Sequence, residues 1–444
     1  MHQDRAVAPP LCCPSRWSPR ALALMVIATL AVSGCAGLPS GQSKNLRGGY
    51  AAGDKVTAIL PGTGPVADVA NAVREGLRAA HNADNTAAKP TLNFIASEDP
   101  AKIAAAYGEA VKVGSTHVMG PLLKPAVDVL AAGPGLKVPT LALNQTTTPG
   151  KTTGNLYQFA LAPESEGMAA ANQAKAMGFT RALLLAPAGD ADQRRVDGFR
   201  RQWKTLGGSL VGEATFAPTA TDHEKTLNGL LGQGEADFLF LAADADQARR
   251  VYPAIRAARE ALPVIATSAV YSGATDPARD KALTGLYFVD LPWVLGVGAA
   301  DDPLARASLK RGPKYLATPL GLRLYAMGID AYRLAPRLAV LAKDPRATVP
   351  GETGTLSLDA QGRVQRELTL AQFTASGPTP VSPPPATAQS RFNPFAKSKP
   401  VAQPTAPAPA AVATSPVTPV VAPAKSKAKP EPKRPSPEAV TKAG

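Results

Sequence analysis

Residue types that carry catalysis or bind metals are few and scattered in this 444-residue chain. Its four histidines are His2, His81, His117 and His223, and no two stand at a spacing that would bring both imidazoles to one metal. His117 falls in a strand pattern and reads as a core residue. There is no Gly-x-Ser-x-Gly elbow to present a nucleophilic serine. Asp190, Asp192, Asp244, Asp246, Asp301 and Asp302 stand where strands or loops meet helix starts. Carboxylates there cap backbone N–H groups and complement the helix dipole. No general acid–base pair emerges, so no enzymatic activity, metal or cofactor is expected.

Binding chemistry has more support. Leu60-Pro61-Gly62-Thr63-Gly64-Pro65 lacks the Gly-Lys-Ser/Thr ending of a phosphate loop and the full spacing of a dinucleotide loop. It reads as a turn or a cleft wall, with Thr63 able to donate to a carboxylate. The loop after Met119, Gly120-Pro121-Leu122-Leu123-Lys124-Pro125, has no hydroxyl to hold the charged ends of an amino acid. Asn144-Gln145-Thr146-Thr147 is polar and either faces a cleft or makes a local cap or turn. Thr63, Pro121, Asn144, Gln145 and Tyr271 are therefore the candidate cleft residues. Trp293 follows Leu291-Pro292 after a strand, as a hinge-packing residue or as an aromatic anchor for a partner. Arg194, Arg195, Arg200 and Arg201 give one helix a basic face, either solvated or docking.

The first 34 residues read as a targeting segment. Arg5, Arg16 and Arg20 precede an uncharged run, 21–32, apolar apart from Thr29 and too short to span ~30 Å of hydrocarbon as a mature helix. The run ends in Val32-Ser33-Gly34-Cys35, which resembles the bacterial lipobox. The resemblance implies cleavage before Cys35, acylation there, and anchoring to a lipid membrane by several chains. Ala36 rather than Asp at the next position favours the outer membrane, facing the periplasm. Cys12 and Cys13 leave with the leader, so the mature chain has no free thiol and no disulfide, as suits an oxidising compartment. Residues 35–53 form the anchor and a Gly/Ser-rich tether.

Charge is concentrated at the other end. The chain holds 48 Lys+Arg against 34 Asp+Glu, a net +14. The segment 377–444 carries about half of that excess and is about one quarter proline, too poor in apolar side chains to offset the entropy of ordering. It reads as a disordered basic tail, either a spacer or an arm toward anionic cell-wall or lipopolysaccharide groups. It lacks the interleaved aromatics that stack on bases, so nucleic acid is not expected.

Between these ends, 54–376 alternates short aliphatic runs with amphipathic helical stretches. Lys55–Leu60, Thr91–Ala96, Thr116–Met119 and Thr140–Leu143 read as strands, with helices at Asp68–Ala80, Ala101–Val113 and Pro125–Ala132. Leu156–Phe159 reads as a crossing strand, after which the same grammar repeats through Gly285–Asp290. A long helix, Leu320–Ala342, and a hairpin of Gly354–Leu358 with Val364–Phe373 close the domain. The fold class is therefore α/β: two doubly wound, Rossmann-like lobes in a type I periplasmic-binding-protein-like arrangement, with ligands expected at strand C-termini between the lobes.

Several stretches together resemble the LpoA/LppC-type penicillin-binding-protein activators. They are Val118–Pro125, Val138–Asn144, Tyr157-Gln158-Phe159 with Pro163-Glu164, Asp237–Ala243, Ile265–Ser268 with Tyr271, Leu291-Pro292-Trp293 and Gly354–Arg363. The resemblance implies an outer-membrane lipoprotein that docks on a bifunctional class A penicillin-binding protein and stimulates peptidoglycan synthesis. Larger members of that family place a helical-repeat domain between lipid and lobes, and here a short tether stands instead. The alternative is a periplasmic lipoprotein that binds a small molecule, an amino acid or a muropeptide. The two differ in cleft chemistry, because an apolar wall suits the adaptor and converging hydroxyls with an inward Asp suit the receptor.

Overall fold

A computed structural model describes residues 44–45, 48–147, 154–299, 301–309 and 314–382. The leader, Cys35 and the tail beyond 382 lie outside the described residues. After β1 (Lys44–Asn45), the first lobe runs β2 (Lys55–Leu60), α1 (Ala67–Ala83), β3 (Thr91–Ala96), α2 (Ile103–Lys112), β4 (His117–Met119), α3 (Lys124–Ala132), β5 (Thr140–Ala142) and β6 (Leu156–Gln158). The second runs α4 (Pro163–Ala176), β7 (Arg181–Pro187), α5 (Asp190–Thr205), β8 (Ser209–Phe216), α6 (Glu224–Leu231), β9 (Phe238–Leu241), α7 (Ala245–Ala258), β10 (Val264–Ala266), α8 (Pro277–Asp280) and β11 (Tyr287–Asp290). The chain then returns to pack α9 (Pro319–Leu334) on α1 and continues through α10 (Leu338–Leu341), β12 (Ala347–Gly351), β13 (Gly354–Leu358), β14 (Val364–Glu367), β15 (Thr369–Thr374) and β16 (Gly377–Pro380).

Three sheets result. The first lobe holds five parallel strands in the order β3-β2-β4-β5-β6. The second holds β16-β15-β11-β10-β9-β7-β8, parallel from β11 to β8 and antiparallel across β11-β15-β16. A small sheet, β1-β12-β13-β14, stands at the hinge. Burial follows this order. Central β2 is buried at every position after Lys55, as expected of a strand with helices on both faces, whereas edge strand β3 is partly exposed throughout. In the second lobe Phe199 of α5 stacks on Phe240 of β9 at 4.1 Å, and Trp203 packs beside Phe238.

Four expectations need correction. The long helix is interrupted: α9 stops at Leu334 and a 3-10 turn, Ala335–Arg337, separates it from α10. Pro336 has no N–H to continue the i→i−4 ladder. The second arm of the hairpin is two strands in different sheets. β14 pairs with β13 at the hinge, the chain turns at buried Leu368, and β15 joins the second lobe beside β11. Leu156–Gln158 is the edge strand of the first sheet, and the crossing comes after it. The fold also passes both proposed domain boundaries. β1 pairs with β12, and buried Tyr50 donates from its hydroxyl to the Tyr332 carbonyl at 2.7 Å, both within the segment read as tether. β16, within the segment read as tail, pairs with β15.

Among the described residues no helix is long and apolar enough to cross a membrane.

Candidate docking cleft between the lobes

The ends of β4 and β5 open onto the space between the lobes. Gly120 follows β4 with φ +94°, and a Cβ there would lie 2.2 Å from the Ile59 carbonyl oxygen, so only glycine lets the chain turn this close to β2. Pro121, next in the chain, is buried, and its carbonyl accepts from the Leu143 N–H at 2.9 Å. The Asn144 side chain donates to the Leu122 carbonyl at 2.9 Å and accepts from the Gln145 N–H, locking the two loops together.

A cavity of about 280 Å³ lies against these loops. Its walls come from the start of α1 (Val66, Val69), the β4 and β5 loops (Leu122, Leu123, Lys124, Leu143, Asn144, Gln145), the crossing Ala160–Pro163, Arg194 of α5, and Leu320, Leu324 and Met327 of α9. Twelve of these sixteen residues are apolar, and none carries a hydroxyl or a carboxylate. Thr146 and Thr147 turn elsewhere: the Thr146 N–H donates to the Gln158 side chain, and Thr147 donates twice to Asp128. Leu320 is 53% exposed at the edge and also lines a neighbouring cavity of about 290 Å³ with Val69 and Tyr315.

Arg194 reaches this wall through a forked ion pair with Glu164 at the start of α4, at 2.6 and 2.8 Å. Burial works to raise the Glu164 pKa, but the guanidinium's hydrogen bonds and charge hold it below the usual carboxylate range. Arg195 is likewise paired, with Glu166 and Asp192. The basic face of α5 is thus largely tied into its own lobe.

The structure brings Asn144 and Gln145 to the cleft, with Pro121 behind them. It does not bring Thr63 or Tyr271. Thr63 is exposed, and its N–H and hydroxyl both donate to Glu98, at 3.2 and 3.4 Å. Tyr271 is buried in the second lobe against Phe288 and Phe373. Trp293 is 1% exposed: its indole N–H donates to the Leu304 carbonyl at 2.7 Å, its ring packs on Tyr325, and the Arg306 guanidinium lies over it. That is the hinge-packing role, not a partner-facing one. Asp244 is the N-cap of a full capping box with Gln247, while Asp192 and Asp246 pair with arginines.

Sequence reasoning missed the hinge's charged centre. Asp290 at the end of β11 accepts from Arg323 of α9 at 3.0 and 2.5 Å, and the same guanidinium donates to the Ser268 and Tyr271 carbonyls. Both residues are buried. Burial pushes the Asp290 carboxyl's pKa up, against the attraction of Arg323. The partners are 33 residues apart in sequence, and only an aspartate ending a predicted strand hinted at the pair.

Comparison with known proteins agrees with this architecture. A Yersinia pseudotuberculosis protein named penicillin-binding protein activator LpoA is 26% identical over 400 residues, covering 72% of this chain and 60% of that one. The protein of the same name from Edwardsiella piscicida is 30% identical over 318 residues, covering 62% and 44%. The chain thus spans only about half the length of these curated relatives. Among solved structures, the LpoA C-domain from Haemophilus influenzae, described as a regulator of PBP1A, aligns with TM-score 0.63 and 23% identity over 74% of this chain and all of that one. A Chromobacterium violaceum protein, described as a "putative branched-chain amino acid ABC transporter", aligns with TM-score 0.60 and 30% identity, covering 72% and 99%. The model of the family described as "LppC putative lipoprotein" matches residues 51–376, most of the chain and nearly all of both lobes, and the chain belongs to that family.

Proposed function

We propose that this protein acts by binding rather than catalysis, as an outer-membrane lipoprotein held by acylated Cys35 that docks on a class A penicillin-binding protein and raises its rate of peptidoglycan synthesis. The observation that carries this reading is the chemistry of the interlobe wall. A receptor for a zwitterion needs converging hydroxyls and a carboxylate, and this cleft offers aliphatic side chains with two amides and two cations at its margin. Such a surface suits an apolar side chain of a protein partner, with Lys124 available to acidic groups at its rim. The names of the relatives point the same way. The basic tail is read as a spacer or as an added contact to anionic envelope groups.

The test pairs the full-length chain with a solubilised class A penicillin-binding protein. Direct binding and faster glycan polymerisation or crosslinking are the expected results. No binding and an unchanged rate at saturating protein, together with an amino acid or muropeptide that raises the melting temperature and loses its effect on Asn144→Ala, would overturn the reading in favour of a cleft-binding receptor.

A further inference from the structure

A larger cavity, about 530 Å³, lies between one face of α4 and the hinge sheet, and the docking proposal makes no use of it. Its lining is polar in a specific way. Arg366 of β14 donates through Nη2 to the Ser165 hydroxyl at 2.7 Å, while its Nη1 is buried without a partner. Gln173 of α4 donates through Nε2 to the Leu368 carbonyl at 3.2 Å, while its Oε1 is buried without a partner. The Thr348 hydroxyl of β12 is in the same condition. Nine buried side-chain atoms among the described residues lack a partner, and three of them converge on this one cavity. Polar atoms in protein interiors are nearly always satisfied, so such a cluster marks a place where partners from beyond the described residues are needed.

The chemistry of those partners follows from the atoms. Arg366 has no carboxylate within ion-pair distance among the described residues, and its open edge fits a carboxylate oxygen. The Gln173 Oε1 accepts an N–H. The Thr348 hydroxyl serves either partner. Exposed Glu367 at the margin suits an ammonium group. The volume falls within the range of roughly 300–1,000 Å³ common for small-molecule sites. We infer that this cavity binds a small molecule that carries a carboxylate and an N–H donor together: a free amino acid or the C-terminal end of a short peptide. One wall is a second-lobe helix and the other is the hinge sheet, so an occupant ties the two together. The site is separate from the interlobe cleft and stands or falls independently of synthase docking.

Calorimetric titration and thermal shift of the full-length chain test it. The probes are alanine, dialanine, N-acetylalanine, acetate and ethylamine. Dialanine, alanine or both should bind, with acetate and ethylamine far weaker; N-acetylalanine separates a requirement for ammonium from one for an amide N–H. Loss of a charge-assisted contact in Arg366→Met should weaken binding ~10- to 100-fold, and Thr348→Val ~5-fold. Thr348→Val removes no hydrogen bond within the protein, so it keeps the test valid if Arg366→Met fails to fold. Asn144→Ala in the interlobe cleft should change nothing. Absence of binding by any probe, or binding that survives Thr348→Val and Arg366→Met or is lost in Asn144→Ala, would overturn the inference.

Discussion

Gly76 of α1 and Gly328 of α9 meet face to face: a Cβ built on either would lie 3.0 Å from the other's Cα. The same Cβ on Gly76 would lie 2.0 Å from the Tyr325 carbonyl oxygen, and one on Gly328 would lie 2.2 Å from that of Val73. The second lobe repeats the device, since a Cβ on Gly167 of α4 would lie 2.0 Å from the Arg195 carbonyl oxygen and one on Gly198 of α5 would lie 2.1 Å from that of Glu164. In each lobe the helix that opens the fold is set by glycines against a partner at backbone contact. In the first lobe that contact fixes α9, and with it Leu320, Leu324 and Met327 of the cleft wall.

Substituting either glycine of the first pair therefore forces the helices apart. Gly76→Ala or Gly328→Ala should each destabilise the protein by about 2–3 kcal/mol, the scale of overpacking. Gly108 of α2 is the control, because it is exposed with nothing within 4 Å of an added Cβ. Gly108→Ala should stabilise by about 0.5–1 kcal/mol. Urea denaturation of the three variants gives the comparison, and equal effects at all three positions would refute the close-contact account.

The Asp290–Arg323 pair joins the end of β11 to α9 inside the hinge. Asp290→Asn leaves a buried guanidinium without its counter-charge and should cost about 3–5 kcal/mol. The double variant Asp290→Leu/Arg323→Met removes both charges and should be less destabilised than either Asp290→Asn or Arg323→Met alone. Chemical denaturation of the three variants makes the comparison, and a double variant less stable than both single variants would show that the ion pair is not the operative interaction.

If the cleft is the docking surface, a charge at its exposed apolar edge should block it. Leu320→Asp should weaken synthase binding ~10-fold or more without lowering the melting temperature appreciably, because Leu320 is 53% exposed. Thr63→Ala, whose contacts are to Glu98 outside the cleft wall, should bind as the parent does. Surface plasmon resonance on both variants decides the point.

His223 is buried edge-on against Phe216, and neither ring nitrogen has a partner. Burial lowers its pKa, and the positive charge of Arg250 lowers it further. The folded state therefore holds the proton less tightly than the unfolded state. The resulting stability is fully present above the unfolded value of about 6.5 and is lost as pH falls below it toward the depressed folded value. His223→Leu should flatten the fall in melting temperature between about pH 7 and pH 5. An unchanged slope would assign that fall to other groups.

The sequence by itself determined the alternation of strands and helices, and therefore the two wound lobes. Aliphatic runs such as Lys55–Leu60 and Asp237–Leu241 can be satisfied only as buried parallel strands, and the amphipathic stretches between them must cover both faces. It also marked Asn144 and Gln145 as cleft candidates, because loops after parallel strands in such sheets line the opening at their C-terminal ends, but it left a local cap or turn equally open for them.

Only the tertiary structure decided the rest. Thr63 and Tyr271 carry suitable chemistry, yet one turns to Glu98 and the other into an aromatic core. Trp293 reads as hinge packing or as an anchor, with hinge packing favoured, until its indole is seen bonded to the Leu304 carbonyl. The split of Val364–Phe373 between two sheets leaves no mark in a pattern of alternating side chains. Arg194 with Glu164 and Arg323 with Asp290 depend on residues 30 or more positions apart, and the open edge of Arg366 depends on which elements surround it. A linear pattern records which face of an element is buried. Where three elements enclose a space, and which polar atoms they leave unsatisfied there, is fixed only when the chain closes on itself.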